Sequence, residues 1–381
     1  MKRKLSSNGV KLYIVIWIGI ILLNLLFWNS RACSDAYVQR VFPIWVETYG
    51  RIIGLFPFSV GEWMILLGIL VLICLLLCLL VLLFYRGKTF VRFVTGYGCF
   101  LAWVVAVVAL IMTLNCFSLY HTSALSNPQE LAGEEEIHEE NLLGMWNYLA
   151  TRANALSLQV KRAEDGRVFA PEKDAMEKTA ILALRGISDR YPRLMGYYPK
   201  PKRLFFSDIM CQQNMAGYYF PFSMEANIND VMYVTNKPAT MCHELAHLKG
   251  YISEDEASFL GFLACVNSED TLFQYSGYLS VLGYFAKEIN ELGASDPSIA
   301  DRYEIIQVTK QVREDRIFLL PEDKERIEQE AILSSEKVDK ISDTFVDTSL
   351  KLNGVKQGSQ VYAEVVKLLV RYYAKNLVGK S

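Results

Sequence analysis

The chain has 381 residues, is 52% hydrophobic and carries a formal net charge of −2 at pH 7. That length allows one sizeable domain besides membrane spans. A near-neutral balance without a basic aromatic patch excludes a nucleic-acid-binding role, and the apolar excess lies mostly in the first third.

Three uncharged stretches there reach the roughly 20 residues that a helix needs to cross a bilayer. They run from Leu12 to Ser30, from Trp63 to Tyr85, and over about 97–119 within the segment Phe93 to Tyr120. The second is almost entirely Leu, Ile and Val, an all-round apolar surface that no soluble core helix of that length requires. Lys2, Arg3, Lys4 and Lys11 precede the first span, and Arg86, Lys88 and Arg92 fill the gap between the second and third. The excess of basic residues on the cytoplasmic side then puts the N-terminus and that gap inside. Three crossings leave everything after Tyr120 outside. The first span resembles a signal peptide in its basic start, but residues 29–33 make a poor cleavage site, so an uncleaved anchor is expected. Between the first two spans, Phe42, Trp45, Tyr49, Ile52, Ile53 and Phe56 recur at helical spacing, with Arg40, Glu47 and Arg51 on the other side. This predicts a helix over about 37–56, lying in the membrane surface or packed on the following domain. The membrane domain is thus expected over 1–121 and a second domain over 122–381.

In that second domain the acidic run from Glu134 to Glu140 suits the start of a helix continuing to about Leu158. A further helix is expected from Glu172 to Asp189, stopped by Pro192. From Lys202 to Thr235 the chain is rich in Tyr, Phe, Val and Met punctuated by Gly, Pro and Asn, and reads as two or three strands. Residues 217–222 and 227–234 are expected to pair as a small antiparallel sheet, whose open edge can take an extended peptide. Next comes a helix bounded by Pro238 and Gly250. Ser253 followed by Glu256 reads as a capping box, starting another helix at Glu254, and Thr271 to Ala286 reads as a buried helix. The expected fold class is α+β, mostly helical, with three N-terminal spans ahead of the second domain. Eight cysteines are present. Cys74, Cys78, Cys99 and Cys116 fall in or near spans, while Cys211, Cys242 and Cys265 lack CxxC spacing. They leave room for one disulfide in an oxidising exterior and do not support cysteine-ligated zinc.

The most informative segment is His243-Glu244-Leu245-Ala246-His247, in a chain with only four histidines. Residues four apart stack on one helix face, so both imidazoles can reach a single Zn2+ ion. Glu244, one step round, can hold a water and take its proton as general base. A catalytic zinc site needs a third protein ligand and one position left for water. Glu254, at the first position of its helix, is the preferred third ligand, and Glu256 is the alternative. Tyr219, Tyr275 and Tyr278 are candidate oxyanion stabilisers.

The combination of three spans, the stretch Ala216 to Asn227, the HELAH helix, Gly250, Glu254 to Ala257, Tyr275-Ser276-Gly277-Tyr278 and Leu350-Lys351 resembles a bacterial family of uncharacterised membrane proteins with a zincin-like domain. The resemblance covers nearly the whole chain and implies a zinc metallopeptidase without a known substrate. Gluzincin peptidases are a looser comparison: there the ligand glutamate often has an aspartate four residues later that orients a histidine, and Ser258 stands at that position here. The expected function is therefore a membrane-anchored zinc metallopeptidase acting on a peptide or protein outside the cytoplasm. The alternative is a non-catalytic zinc-binding sensor or scaffold. An intramembrane protease fits poorly, because Glu244 and Lys249 are in the motif segment. A transporter fits poorly as well, since three spans without internal repetition make no alternating halves.

Overall fold

With Leu, Ile and Val at most positions, residues 60–84 have no polar face to turn toward water, and in the computed structural model they form one unbroken helix. The structure describes residues 7–125, 138–331 and 358–374. The chain divides into two compact units, one of residues 1–123 with 220–225, the other of residues 124–219 with 226–381.

In the first unit three helices are long and apolar enough to cross a membrane. They are α1 (Ser7–Asn29), α5 (Val60–Phe84) and α6 (Lys88–Met112), the last continuing through a π-helical segment, Thr113–Phe117, to Tyr120. Polar contacts among the described residues join them, of a kind that has no competing partner in an apolar surrounding. Asn24 Nδ2 donates to Thr113 Oγ1 at 2.7 Å, and Tyr97 Oη to the Val71 carbonyl at 2.8 Å. The single helix expected over 37–56 is instead three short ones: α2 (Arg31–Arg40), α3 (Phe42–Glu47) and α4 (Tyr49–Gly54). Pro43, without an N–H, suits only the first turn of a helix and so starts a new one. The 220–225 turn is held within this unit by three side chains. Tyr49 Oη donates to the Phe222 carbonyl and Asn115 Nδ2 to the Pro221 carbonyl, both at 2.9 Å. The buried Glu225 carboxylate accepts from the Val60 and Gly61 amides at 3.1 and 2.8 Å, satisfying the first turn of α5.

The second unit is mostly helical: α7 (Glu139–Ser157), α8 (Lys173–Gly186), α9 (Ser207–Gln212), α10 (Lys237–His247), α11 (Glu254–Val266), α12 (Thr271–Ser295), α13 (Lys310–Asp315), α14 (Pro321–Glu330) and α15 (Gly358–Tyr373). Residues 134–137 of the acidic run lie outside the described residues. The strands are β1 (Lys202–Arg203), β2 (Gly217–Phe220) and β3 (Glu225–Ile228). Their order is β1-β3-β2, with β1 parallel to β3 in the register Lys202–Asn227 and Arg203–Ile228. The sheet is therefore mixed rather than purely antiparallel. A two-residue strand has no alternation to read, which is why β1 escapes a sequence pattern. The strand expected over 227–234 stops at Ile228, because Asn229 Oδ1 accepts from the Val231 and Met232 amides at 3.0 and 3.3 Å and turns the chain. The expected capping box is also absent. The Ser253 hydroxyl bonds Asp255, and the Glu256 carboxylate accepts from the Leu125 amide, so Glu256 ties a distant segment instead of its own N-cap.

Leu245, Phe259, Leu260, Leu282 and Phe285, on α10, α11 and α12, are completely buried and form the centre of this unit. Val365, Val366, Leu369 and Val370 of α15 are buried too. One ionic network is deeply buried. Asp315, 3% exposed, accepts from Arg162 Nη1 and Nη2 at 3.0 and 2.7 Å and from Tyr275 Oη at 2.8 Å. Removing the carboxylate takes the acceptor from the buried Tyr275 hydroxyl and from the half-buried Arg162 guanidinium, which keeps the Ser157 and Gly166 carbonyls, so Asp315→Ala is expected to lower unfolding free energy by about 1–3 kcal/mol. Glu47→Ala, which breaks an exposed i,i+4 pair with Arg51, is expected to change it by about 0.5 kcal/mol at most. Thermal or denaturant unfolding of the detergent-solubilised chain checks both.

Candidate metal centre

The centre is built on α10 and the first turn of α11. Pro238 occupies the first turn of α10, where its missing N–H costs nothing. Gly250 ends the segment with φ +82°, a left-handed conformation that costs glycine no strain. That turn brings the Tyr251 carbonyl back to the His247 ring, 2.7 Å from Nδ1. A carbonyl only accepts, so Nδ1 carries the proton and Nε2 presents its lone pair.

The four-residue spacing sets the two imidazoles on one face, ring centroids 4.7 Å apart and planes at 90°. His243 Nε2 and His247 Nε2 are 3.1 Å apart. Glu254 Oε2 is 3.1 Å from His243 Nε2, and its Oε1 is 3.7 Å from His247 Nε2. One ligand atom from each of His243, His247 and Glu254 falls within 4.8 Å of the others. Glu256, two residues on, is buried and engaged with Leu125, so it is Glu254 that joins the histidines. Ser258, one turn further along α11, has its Oγ 3.2 Å from His243 Nδ1. Both imidazoles thus have the nitrogen away from the cluster occupied, which orients the other one.

The electrostatics follow from burial and from the Glu254 carboxylate, with a smaller pull of Glu244 on His243. Burial lowers His247 to about 4, against the pull of Glu254. Burial also disfavours a charge on His243, but Glu254 outweighs it and raises that imidazole above its ordinary value. Burial would raise Glu254, yet the two histidines hold it down at about 2. The Glu254 side chain is 51% exposed, so the cluster opens to solvent on that side while its oxygens face the rings.

Glu244 is 4% exposed, and its Oε2 has no hydrogen-bond partner among the described residues. Burial, partly offset by His243, pushes its carboxyl up to about 8. Strand β2 runs hard against it: a Cβ at Gly217 would meet Glu244 Oε1 at 2.8 Å and the Asn227 carbonyl at 2.6 Å. Only glycine allows that approach, a requirement not legible in the sequence pattern.

The tyrosines separate. The Tyr219 ring is 6.2 Å from that of His247. Tyr275 gives its hydroxyl to Asp315, and the Tyr278 hydroxyl lies 3.0 Å from that of Tyr148. Sequence reasoning also missed the groups that hold the loop after α10. Lys249 Nζ donates to the Met195 and Tyr197 carbonyls at 2.7 and 2.8 Å, and the Arg193 guanidinium sits 3.8 Å from the centroid of the Tyr251 ring. They steady the carbonyl that orients His247, and a backbone acceptor leaves no mark in a sequence.

Loss of an orienting group commonly costs a metal site 10- to 100-fold in affinity. If the three ligand atoms hold a metal ion, Ser258→Ala is expected to weaken its binding about tenfold, whereas Ser258→Asp, an acceptor at the same place, retains it. Competition titration against a chromogenic chelator measures both.

No curated protein and no solved structure matches the chain. One family does, over residues 37–370, a range that takes in the second and third apolar helices, both imidazoles and Glu254. By that match the chain belongs to DUF3810, the family described as a protein of unknown function.

Proposed function

We propose that this is a membrane-anchored zinc metallopeptidase, with its second unit outside the cytoplasm and a peptide or protein as substrate. The observation that carries the reading is the convergence of two imidazole Nε2 atoms and a carboxylate beside a buried glutamate oxygen that has no hydrogen-bond partner among the described residues. The donor set suits the ion: two ligands about 2.0–2.1 Å from a tetrahedral zinc lie roughly 3.3 Å from each other, and the two nitrogens are 3.1 Å apart. His243, His247 and Glu254 would hold it, leaving one position for water or substrate.

Bound there, zinc supplies Lewis acidity to the attacking water and the scissile carbonyl. The remaining chemistry belongs to the chain. Glu244 Oε2 accepts a proton from the attacking water and returns it to the nitrogen of the departing amine. A carboxyl held near neutrality is suited to both transfers. Tyr219, with its ring beside His247, is assigned the hydroxyl donor to the developing oxyanion. Strand β2 lies at the sheet edge next to Glu244, where an extended substrate backbone can pair.

A non-catalytic zinc sensor or scaffold is the second reading, favoured by a neutral serine where a carboxylate would orient His243 more strongly. Glu244→Gln separates the two. The peptidase reading expects unchanged zinc content with hydrolysis of a peptide library reduced on the order of 10²- to 10⁴-fold; retained hydrolysis refutes the assigned role. The pH dependence has a definite sign. An imidazolium cannot ligate, so as pH falls through the raised His243 range each protonation competes with zinc. Affinity is expected to drop about tenfold per pH unit below that range and to level off above it, as read by chelator competition at stepped pH.

A further inference from the structure

Beside the candidate centre, two thiols of the second unit touch. Cys242 immediately precedes His243 on α10, and Cys265 is on α11. Both are completely buried, and their sulfurs are 3.8 Å apart, with Cys265 donating to Cys242. Cys211 is engaged elsewhere: Asn229 Nδ2 donates to its Sγ at 3.1 Å. The sequence leaves room for one disulfide among these three thiols without saying which two are partners. The packing of α10 on α11 selects them, since it brings these two sulfurs into van der Waals contact while Cys211 is held by Asn229.

We propose that Cys242 and Cys265 form a disulfide joining the two helices that carry the candidate ligand atoms. The proposal rests on the reading that the second unit lies outside the cytoplasm, where thiols meet disulfide oxidants. One cysteine thiolate attacks a sulfur of an oxidant disulfide, giving a mixed disulfide and releasing one oxidant thiolate. The second cysteine thiolate then attacks the first cysteine's sulfur, forming the Sγ–Sγ bond and releasing the other oxidant thiolate. The two protons lost by the cysteines end on the two thiols released, so two thiols are oxidised and one disulfide is reduced. Burial raises the Cys265 thiol well above its ordinary range, so exchange is slow once the helices have closed and belongs to the folding stage. The loop that the bond closes contains His243, His247 and Glu254, together with Tyr251 and Ser258, which orient the two imidazoles. Closing it covalently holds all five in register whether or not metal is bound.

The test uses full-length protein extracted from intact membranes into detergent with an alkylating reagent present. It is then denatured and digested without reductant. The expected result is one peptide pair linked through Cys242 and Cys265 that separates on reduction, with Cys211 alkylated, and no such pair from Cys265→Ala. External protease on the same cells reports the side on which the second unit lies. Alkylation of both Cys242 and Cys265 in a protein whose second unit the protease reaches overturns the pairing alone. Alkylation of both in a protein whose second unit is protected overturns the location, and the disulfide with it. Zinc content and hydrolysis of the same preparation report the peptidase reading separately, because the linked peptide can be present or absent in either case.

Discussion

Two imidazole nitrogens 3.1 Å apart cannot both carry a proton, and with both lone pairs exposed they repel. This confrontation is the constraint around which the second unit is arranged. His247 is denied a charge by burial, His243 is encouraged to take one by Glu254, and Glu254 is itself held ionised by the rings. On the proposed reading a divalent cation would relieve all three at once, since it would accept both lone pairs and replace the proton that Glu254 otherwise attracts.

Such an arrangement persists only if its neighbours make it rigid. The Tyr251 carbonyl holds one ring and Ser258 the other, and the loop that supplies the carbonyl is clamped by Lys249 and Arg193. Beneath them the completely buried side chains of α10, α11 and α12 leave little freedom for either helix to slide, because close-packed interiors do not deform smoothly. Glu244 is confined by strand β2 through the absence of a side chain at Gly217. Its position depends on a helix and a strand together.

The first unit has helices long and apolar enough to cross a membrane. Its helices turn leucine and valine outward over most of their length, and few polar contacts hold them together. The exception is the 220–225 turn, where a buried carboxylate, a tyrosine and an asparagine converge on backbone groups. Each of these contacts joins residues more than a hundred positions apart in sequence, so no local pattern announces them.

By itself the sequence determined whatever depends on periodicity or bulk composition. The spans are legible because roughly 20 apolar residues satisfy their own backbone in lipid. The pairing of His243 with His247 is legible because residues four apart share a helix face. Where local spacing allowed more than one partner, only tertiary structure decided. Ser253 and Glu256 fit a capping box by spacing, but the Leu125 amide claimed the Glu256 carboxylate and left Glu254 to join the histidines. The expected surface helix broke at Pro43, and the expected strand ended at Asn229, each through a hydrogen bond lost or redirected locally. The parallel strand β1, the close approach of Gly217 and the carbonyl of Tyr251 depend on backbone brought together from separate segments. Backbone atoms are the same at every residue, so their roles are set by where the chain is folded and not by which side chains it carries.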